Sequence, residues 1–213
     1  MKMSLVAESS GRSYAGQSAD ERDAQRRARL LAAAREIIGT AGYAATTIPG
    51  VCAAAKVSTR HFYRLYSTKE DLFVELYDQI TAESYVPVVE SLKQTEGRQL
   101  RERVPAAMLA YLQPMLHDAR VARIAFVEIM GASPRIEKLR LDYRETLIAL
   151  ITREASDAVA RGEIPDRDWR FAALALVGAV TALVYDWMLR TERPSVDELE
   201  SAIADLALTL LTS

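Results

Sequence analysis

The chain has 213 residues, half of them hydrophobic, with nine glycines and seven prolines, a composition that favours a packed, helix-rich globule over a disordered chain. A single cysteine, Cys52, excludes an internal disulfide, and we expect a small buried thiol there rather than a redox sensor. No apolar run near the N-terminus has the length of a signal peptide, so we expect a cytoplasmic protein.

The formal net charge of −2 is unevenly distributed along the chain. Residues 1–70 hold 11 Lys/Arg against 6 Asp/Glu, which gives +5, whereas residues 71–213 carry −7. A basic N-terminal third suits a polyanionic partner such as DNA, and an acidic remainder repels phosphate elsewhere. Chance asymmetry is the alternative interpretation.

Residues 1–20 are rich in serine, glycine and alanine and lack periodicity, so we expect a flexible tail. A first helix is predicted over residues 23–40, and Gly42 ends it. Its apolar residues recur at helical spacing: Leu30, Leu31, Ala34, Ile37, Ile38 and Ala41. Arginines crowd its first half, where the helix dipole does not favour them. These arginines either contact an external anion or lie on a solvated surface of the helix.

Two short helices are predicted next, and a tight turn joins them. Thr47 caps a helix over residues 48–55, Lys56 and Val57 form the turn, and Ser58 caps a second helix that reaches residue 66. This arrangement is a helix-turn-helix. Val57, Phe62 and Leu65 are predicted to pack inward. The opposite face suits contact with a major groove, or else is an ordinary solvated surface; it carries Ser58, Thr59, Arg60, His61, Tyr63 and Arg64.

The spacing of these residues resembles the tetracycline-repressor (TetR) family over about residues 28–76. The features that carry the resemblance are the Thr46-Thr47 start, the Ala55-x-Val57-Ser58 turn, the Phe62-Tyr63 pair and the run from Ser67 to Leu72. The resemblance implies that Thr47, Tyr63 and Lys69 hold phosphates. It also implies that Thr59, Arg60 and His61 reach base edges.

The chain departs from the family pattern at two places. Lys56 stands where the family usually has glycine, and a side chain in a left-handed turn costs roughly 1 kcal/mol. Pro49-Gly50 occupies the first turn of the first short helix, where the missing proline N–H would be unpaired in any case.

The rest of the chain is predicted to be helical as well. Ser67 and Glu70 match a capping box for a fourth helix, which Pro87 ends or kinks. Residues 98–131 form two helices, with Pro105 and Pro114 interrupting the first. Ser133-Pro134 opens a long helix to about residue 161. We therefore expect an all-α chain of about nine helices, with a tail at 1–20, a helix-turn-helix domain at 21–68 and a ligand-binding and dimerisation domain at 69–213.

Tyrosine, methionine and aromatic residues recur in the predicted body and suit an adaptable apolar cavity, although core packing explains each of them singly. The candidate lining is Tyr77, Met108, Tyr111, Leu112, Met115, Phe126, Met130, Tyr143, Leu147 and Trp187. Glu128 joins them because apolar neighbours surround it and a buried carboxylate needs a partner. That partner is a cationic ligand, an arginine or a backbone group.

Residues 171–185 carry no charge. A helix that is apolar on all sides must be covered on all sides, and this one is too short for a membrane span. Ser195 and Glu198 form a capping box for the last helix. We expect the two terminal helices of each subunit to form a four-helix dimer interface, as the resemblance also implies. Its candidate residues are Leu174, Gly178, Thr181, Tyr185, Leu199, Ile203, Leu206 and Leu210.

No Gly-rich phosphate loop, metal-spaced Cys/His cluster or nucleophile–base set is present, so we expect neither cofactor nor metal nor enzymatic activity. The sequence predicts a homodimeric, ligand-responsive transcriptional regulator, in the family's manner a repressor. It would bind a palindromic operator in double-stranded DNA and be released by a small apolar or amphipathic effector, with no membrane partner. The alternatives are a ligand-independent architectural DNA-binding protein, or an all-helical enzyme or carrier.

Overall fold

A computed structural model describes residues 18–212, and every regular element in that range is helical. Residues 1–17 of the tail predicted over residues 1–20 lie outside the described residues, and residues 18–20 belong to the cap and first turn of the first helix instead. Ser18 caps α1 (Ala19–Ala41) through a capping box with Glu21, so α1 begins four residues earlier than expected. Gly42 ends α1 at φ 90°, as predicted.

The helix-turn-helix has the predicted form. Helix α2 spans Ile48–Ala55 and α3 spans Thr59–Leu65. The Thr47 hydroxyl accepts from the Gly50 N–H, and the Ser58 hydroxyl accepts from the His61 N–H. Lys56 lies between the helices at φ 53° and ψ 43°. Among residues 18–212, no other residue except glycine has a positive φ. The turn therefore keeps its left-handed geometry without glycine.

Helix α4 (Lys69–Gln94) differs from expectation at its start and at Pro87. The predicted Ser67–Glu70 capping box is wrong: Thr68 caps the helix, and its partner is Asp71. Glu70 instead contacts the Ser133 hydroxyl. Pro87 lies inside the helix and does not end it. Ser84 and Val88, on either side of Pro87, are both buried, and α4 packs on α5.

Helix α5 (Leu100–Leu116) contains both Pro105 and Pro114, so neither proline breaks it. The next predicted helix is short: α6 covers Ala119–Arg123 and runs into a π-helical segment, Ile124–Glu128. Such π-turns are rare and concentrate at functional sites. Three more helices follow: α7 (Pro134–Ala160), α8 (Arg170–Leu189) and α9 (Val196–Thr212). The caps predicted at Ser133 and at Ser195 with Glu198 are confirmed.

The helices form two adjoining parts. In the first, α1, α2 and α3 pack around Phe62 and Phe73, which are fully buried. In the second, α4 packs on α5, α5 on α9, and α7 on α8. Helices α1 and α6, together with α4, join the parts. Among the described helices, α8 alone has the length and apolar composition of a membrane span. Buried residues on it, Leu176 and Trp187 among them, belong to the protein core.

Candidate nucleic-acid interface and effector cavity

Helix α3 has one buried side and one exposed polar side. Phe62 is fully buried and Val57 nearly so, whereas Tyr63 is 57% exposed. Most of the residues predicted to contact DNA are exposed, and His61 is half-buried. The exposed residues are Thr47, Ser58, Thr59, Arg60, Tyr63 and Arg64. The fold therefore brings the predicted set to the surface of α3 and to the start of α2.

The two arginines of α3, Arg60 and Arg64, differ in whether an acidic side chain pairs with them. Arg60 forms no ion pair with another residue in the range 18–212, so its guanidinium is available to a base edge. Arg64 is paired with Asp23 of α1, which Arg26 also contacts at 2.6 Å. The Arg26 hydrogen bond, with a contribution from Arg64, lowers the pKa of Asp23. A phosphate or base at Arg64 would compete with that carboxylate.

His61 is locally constrained. Its Nδ1 lies 2.7 Å from the Ser58 hydroxyl, which ties the ring to the N-cap of α3. Desolvation and then the neighbouring Arg26 and Arg64 charges lower the pKa of His61. A neutral imidazole, which can both donate and accept, is therefore favoured at this position.

Lys69 takes part in the protein's own structure. Its Nζ donates to the Tyr43 carbonyl at 2.8 Å and to the Thr46 carbonyl at 2.9 Å, and it lies 4.2 Å from the Tyr43 ring centroid. Since an ammonium has three N–H donors, one remains for a phosphate. Lys69 thus fastens the α1–α2 loop to the start of α4.

Glu128 lies at the junction of the two parts rather than in a cavity. Its Oε2 accepts from the Tyr43 N–H at 2.8 Å, and its Oε1 accepts from Arg123 Nε at 2.8 Å. Arg123 also donates to the Thr40 carbonyl at 2.8 Å. A Cβ at Gly42 would lie 3.1 Å from Glu128 Oε1, so glycine permits this close approach. Of the partners considered from the sequence, the structure provides the arginine and the backbone group. We call Arg123 and Glu128 the junction pair.

The body contains a partly open cavity of about 350 Å³ between α4, α5, the π segment, α7 and α8. Seven of the predicted residues line it: Tyr77, Tyr111, Met115, Phe126, Met130, Tyr143 and Leu147. A neighbouring apolar pocket of about 100 Å³ includes Met108 and shares Tyr111 and Leu147 with the larger one. Leu112 is buried core, and Trp187 donates to the Pro194 carbonyl at 2.8 Å. Leu112, Trp187 and Glu128 line neither cavity.

Polar groups in the larger cavity include residues that sequence reasoning missed. Arg140 and Arg144 lie one helical turn apart on α7 and both line it. Arg140 is held by Glu137, with its closer contact at 2.6 Å. Arg144 pairs with Glu145 at 3.4 Å, and its buried Nε has no hydrogen-bond partner among residues 18–212. The available signal was their i, i+4 spacing beside the apolar residues of α7.

Burial raises the pKa of the cavity tyrosines Tyr77, Tyr111 and Tyr143. Their hydroxyls therefore stay protonated at neutral pH and can donate hydrogen bonds. The cavity consequently combines an apolar surface with phenol hydroxyls and the two arginines of α7.

Helix α8 exposes large apolar side chains. Phe171 is 80% exposed and Leu189 63% exposed, and Leu174, Leu183 and Tyr185 are exposed to a smaller degree. Of the predicted interface residues on α8, Leu174, Gly178, Thr181 and Tyr185 also line the larger cavity. On α9, Leu199 and Ile203 are buried in the core of this chain, whereas Leu206 and Leu210 are half-buried. The exposed apolar surface is therefore mainly that of α8.

Comparison with known proteins identifies the family. Residues 30–76 match the family described as bacterial regulatory proteins, tetR family, and residues 97–211 match the tetracyclin repressor-like C-terminal domain. The uncharacterized HTH-type transcriptional regulator YhgD of Bacillus subtilis is 24% identical over 79% of this chain and 86% of its own length.

Two solved structures share the fold. FadR from Bacillus subtilis, in complex with stearoyl-CoA, has a TM-score of 0.77 at 17% identity and covers 85% of this chain and 97% of that one. AibR, in complex with isovaleryl coenzyme A and operator DNA, has a TM-score of 0.66 at 17% identity, with coverage of 84% and 96%. The helix-turn-helix and the helical body both match, and the chain belongs to the TetR family of bacterial transcriptional regulators.

Proposed function

We propose that this regulator is a homodimeric repressor that binds a palindromic operator and leaves it when an amphipathic acyl compound fills the body. The observation that carries the proposal is the pairing of an exposed polar α3 with an apolar cavity in the same chain. Two α3 helices related by a two-fold axis would enter successive major grooves about 34–36 Å apart.

The chemistry of the cavity supports an effector with an apolar chain and an anionic end. Aliphatic, aromatic and methionine side chains provide the apolar surface, and Arg140 and Arg144 provide cationic groups in its lining. A carboxylate or phosphate would form charge-assisted hydrogen bonds with these guanidinium groups. The acyl-CoA ligands of FadR and AibR have this combination of groups. We therefore infer an acyl-CoA or a related long-chain acyl anion.

The π segment offers a route from the cavity to the DNA-binding part. Phe126 and Ala125 of this segment line the cavity, while Arg123 and Glu128, at its two ends, hold the α1–α2 loop. A ligand that shifts Phe126 therefore acts on the same turn of helix as the junction pair. Release follows if the ligand binds better to the conformation in which α3 is displaced.

Dimerisation through α8 is supported by its exposed apolar side chains. Phe171, Leu183 and Leu189 would lose their contact with water when a second chain covers them. The family's two-fold assembly suits this surface. The apolar composition of the terminal helices supports this proposal.

The test is selection of bound sequences from random duplex DNA at modest salt, since phosphate contacts weaken steeply as salt rises. We expect a palindrome to be enriched, and palmitoyl-CoA to weaken binding to it. Failure to enrich any palindrome would contradict the repressor proposal. Enrichment without any effect of palmitoyl-CoA or of free palmitate would contradict only the effector class, and would favour a ligand-independent DNA-binding protein.

A further inference from the structure

A buried carboxylate without a hydrogen-bond partner lies between the end of α5 and the start of α9. Glu200 is 5% exposed, and its Oε1 forms no hydrogen bond with any residue in the range 18–212. The Nε2 of His117 is 3.3 Å from this oxygen, a contact that is an ion pair only when the imidazole is protonated, and the two atoms do not form a hydrogen bond. Because an unneutralised buried charge is costly, this position calls for an additional partner.

Two more metal-binding side chains converge on the same point. His117 follows directly on α5, and Asp197 lies one turn before Glu200 on α9. The ligand-capable atoms of His117, Asp197 and Glu200 all lie within 4.8 Å of one another. The 3.3 Å between His117 and Glu200 is close to the roughly 3.3 Å that separates two ligands about 2.0–2.1 Å from a tetrahedral ion. His117 and Asp197 are exposed and can close the remaining distance.

The local electrostatics favour a cation at this point. The first turn of α9 accounts for Asp197, because helix N-termini stabilise acidic residues, but it does not explain a buried Glu200. The end of α5 presents carbonyl groups and has no basic residue in its last turn. Within the described range, neither Asp197 nor Glu200 pairs with a lysine or arginine.

We propose that His117, Asp197 and Glu200 bind a divalent transition-metal ion such as Zn²⁺. One imidazole nitrogen and two carboxylate oxygens form a ligand set that Zn²⁺ accepts, with water completing the coordination. The ion neutralises Glu200 and fastens the end of α5 to α9. The sequence showed no metal motif because His117 and Glu200 are far apart in the chain and meet only in the folded structure. The site is independent of the proposed operator and effector.

Calorimetric titration of the full-length chain with Zn²⁺, after treatment with a chelator, tests the site. We expect one ion per chain with a dissociation constant in the micromolar range. At a metal concentration far above that constant, the melting temperature should rise by about 5 °C or more, because an ion that binds only the folded chain stabilises it by mass action.

Variants locate the bound ion. Glu200→Gln and His117→Gln should each weaken Zn²⁺ binding at least about 100-fold, since even outer-shell partners contribute 10–100-fold. Asp205→Asn removes an exposed carboxylate further along α9 and should leave the affinity unchanged. Unaltered affinity in both site variants, or absence of binding at millimolar Zn²⁺, would overturn the proposal. If Glu200→Gln does not fold, His117→Gln decides, because its side chain is 55% exposed.

Discussion

Lys56 shows how a single residue can hold a strained backbone position in a functional turn. Its φ of 53° is in the left-handed region, where a side chain is disfavoured. The turn nevertheless keeps its hydrogen bonds, from the Lys56 N–H to the Cys52 and Ala53 carbonyls. Val57 and Phe62 are buried beside the turn, and the free energy of their packing offsets the strain of the Lys56 backbone.

Replacing Lys56 by glycine should therefore stabilise the chain. We expect Lys56→Gly to raise the free energy of unfolding by about 1 kcal/mol, reduced in part by the greater freedom of glycine in the unfolded state. For a chain of this size the melting temperature would rise by about 2–4 °C. Lys56→Ala is the matched control, because it removes the charge and keeps the Cβ. Equal stability of the two variants would show that Lys56 is not strained.

Arg60 and Lys69 should have different effects on DNA binding. Arg60→Ala is expected to relax sequence specificity by about 1–3 kcal/mol, the value of one bidentate contact with guanine. Lys69→Ala should weaken matched and scrambled duplexes alike. It should also lower the melting temperature, because Lys69 holds the Tyr43 and Thr46 carbonyls. Titrations of both duplexes, with thermal melts, measure these effects. The distinction fails if the two variants lose the same affinity on each duplex.

At the scale of elements, the π segment places Phe126 in the cavity and the junction pair against the α1–α2 loop. On the proposed function, Glu128→Gln should leave palmitoyl-CoA affinity unchanged, because Glu128 does not line the cavity. It should reduce the effect of that ligand on operator affinity by about 1–2 kcal/mol, the value of a charge-assisted hydrogen bond.

Asp142→Asn is the control for this coupling experiment, because it removes an ion pair confined to the surface of α7. Operator affinity is measured with and without palmitoyl-CoA for each variant. A Glu128→Gln chain that responds to the ligand like the parent would remove the junction pair from the transmission route.

How far the sequence predicts each element depends on whether its signals are local. The bounds of α2 and α3 follow from hydroxyl caps and apolar spacing, and the structure confirms them. At α4, Ser67 with Glu70 and Thr68 with Asp71 are two capping boxes of equal merit in sequence. Tertiary contacts accompany the observed register: Glu70 contacts Ser133, and Asp71 pairs with Arg135 at 2.5 Å.

The candidate cavity was predictable only in its apolar half. Tyr111, Met115 and Tyr143 show helical spacing, which indicates an inward face but does not separate a cavity from a core. Arg144 was missed because an arginine is normally a surface residue, and only the fold shows that its Nε is buried. Glu128 was recognised as buried, but its partner Arg123 lies five residues earlier, a spacing that the π-turn accommodates.

At the scale of the whole molecule, the buried tyrosine hydroxyls should make the free energy of unfolding fall as the pH rises above about 10. Burial raises the folded-state pKa of Tyr77, whereas the unfolded value is about 10. Below pH 10 both states keep the proton, and no dependence arises from this group. Above pH 10 the unfolded state loses its proton first, so stability falls as pH rises.

Chemical denaturation between pH 9 and pH 11 measures this loss. Tyr77→Phe should reduce the slope above pH 10 by about 1.4 kcal/mol per pH unit, the contribution of one proton. Tyr63→Phe, which removes a hydroxyl from an exposed ring, is the matched control for the loss of a phenol. A slope that Tyr77→Phe does not alter would mean that this phenol is not protected in the folded chain.

In the proposed dimer, the cavity and the subunit interface share one surface of helix α8. Leu174, Gly178 and Tyr185 line the larger cavity and are also exposed, so a second chain that covers α8 would cover them too. Anything that fills the cavity therefore touches the surface on which two chains would meet. By thermodynamic reciprocity, ligand affinity and subunit affinity then depend on each other. The effector concentration needed for a response would therefore depend on the concentration of the regulator itself.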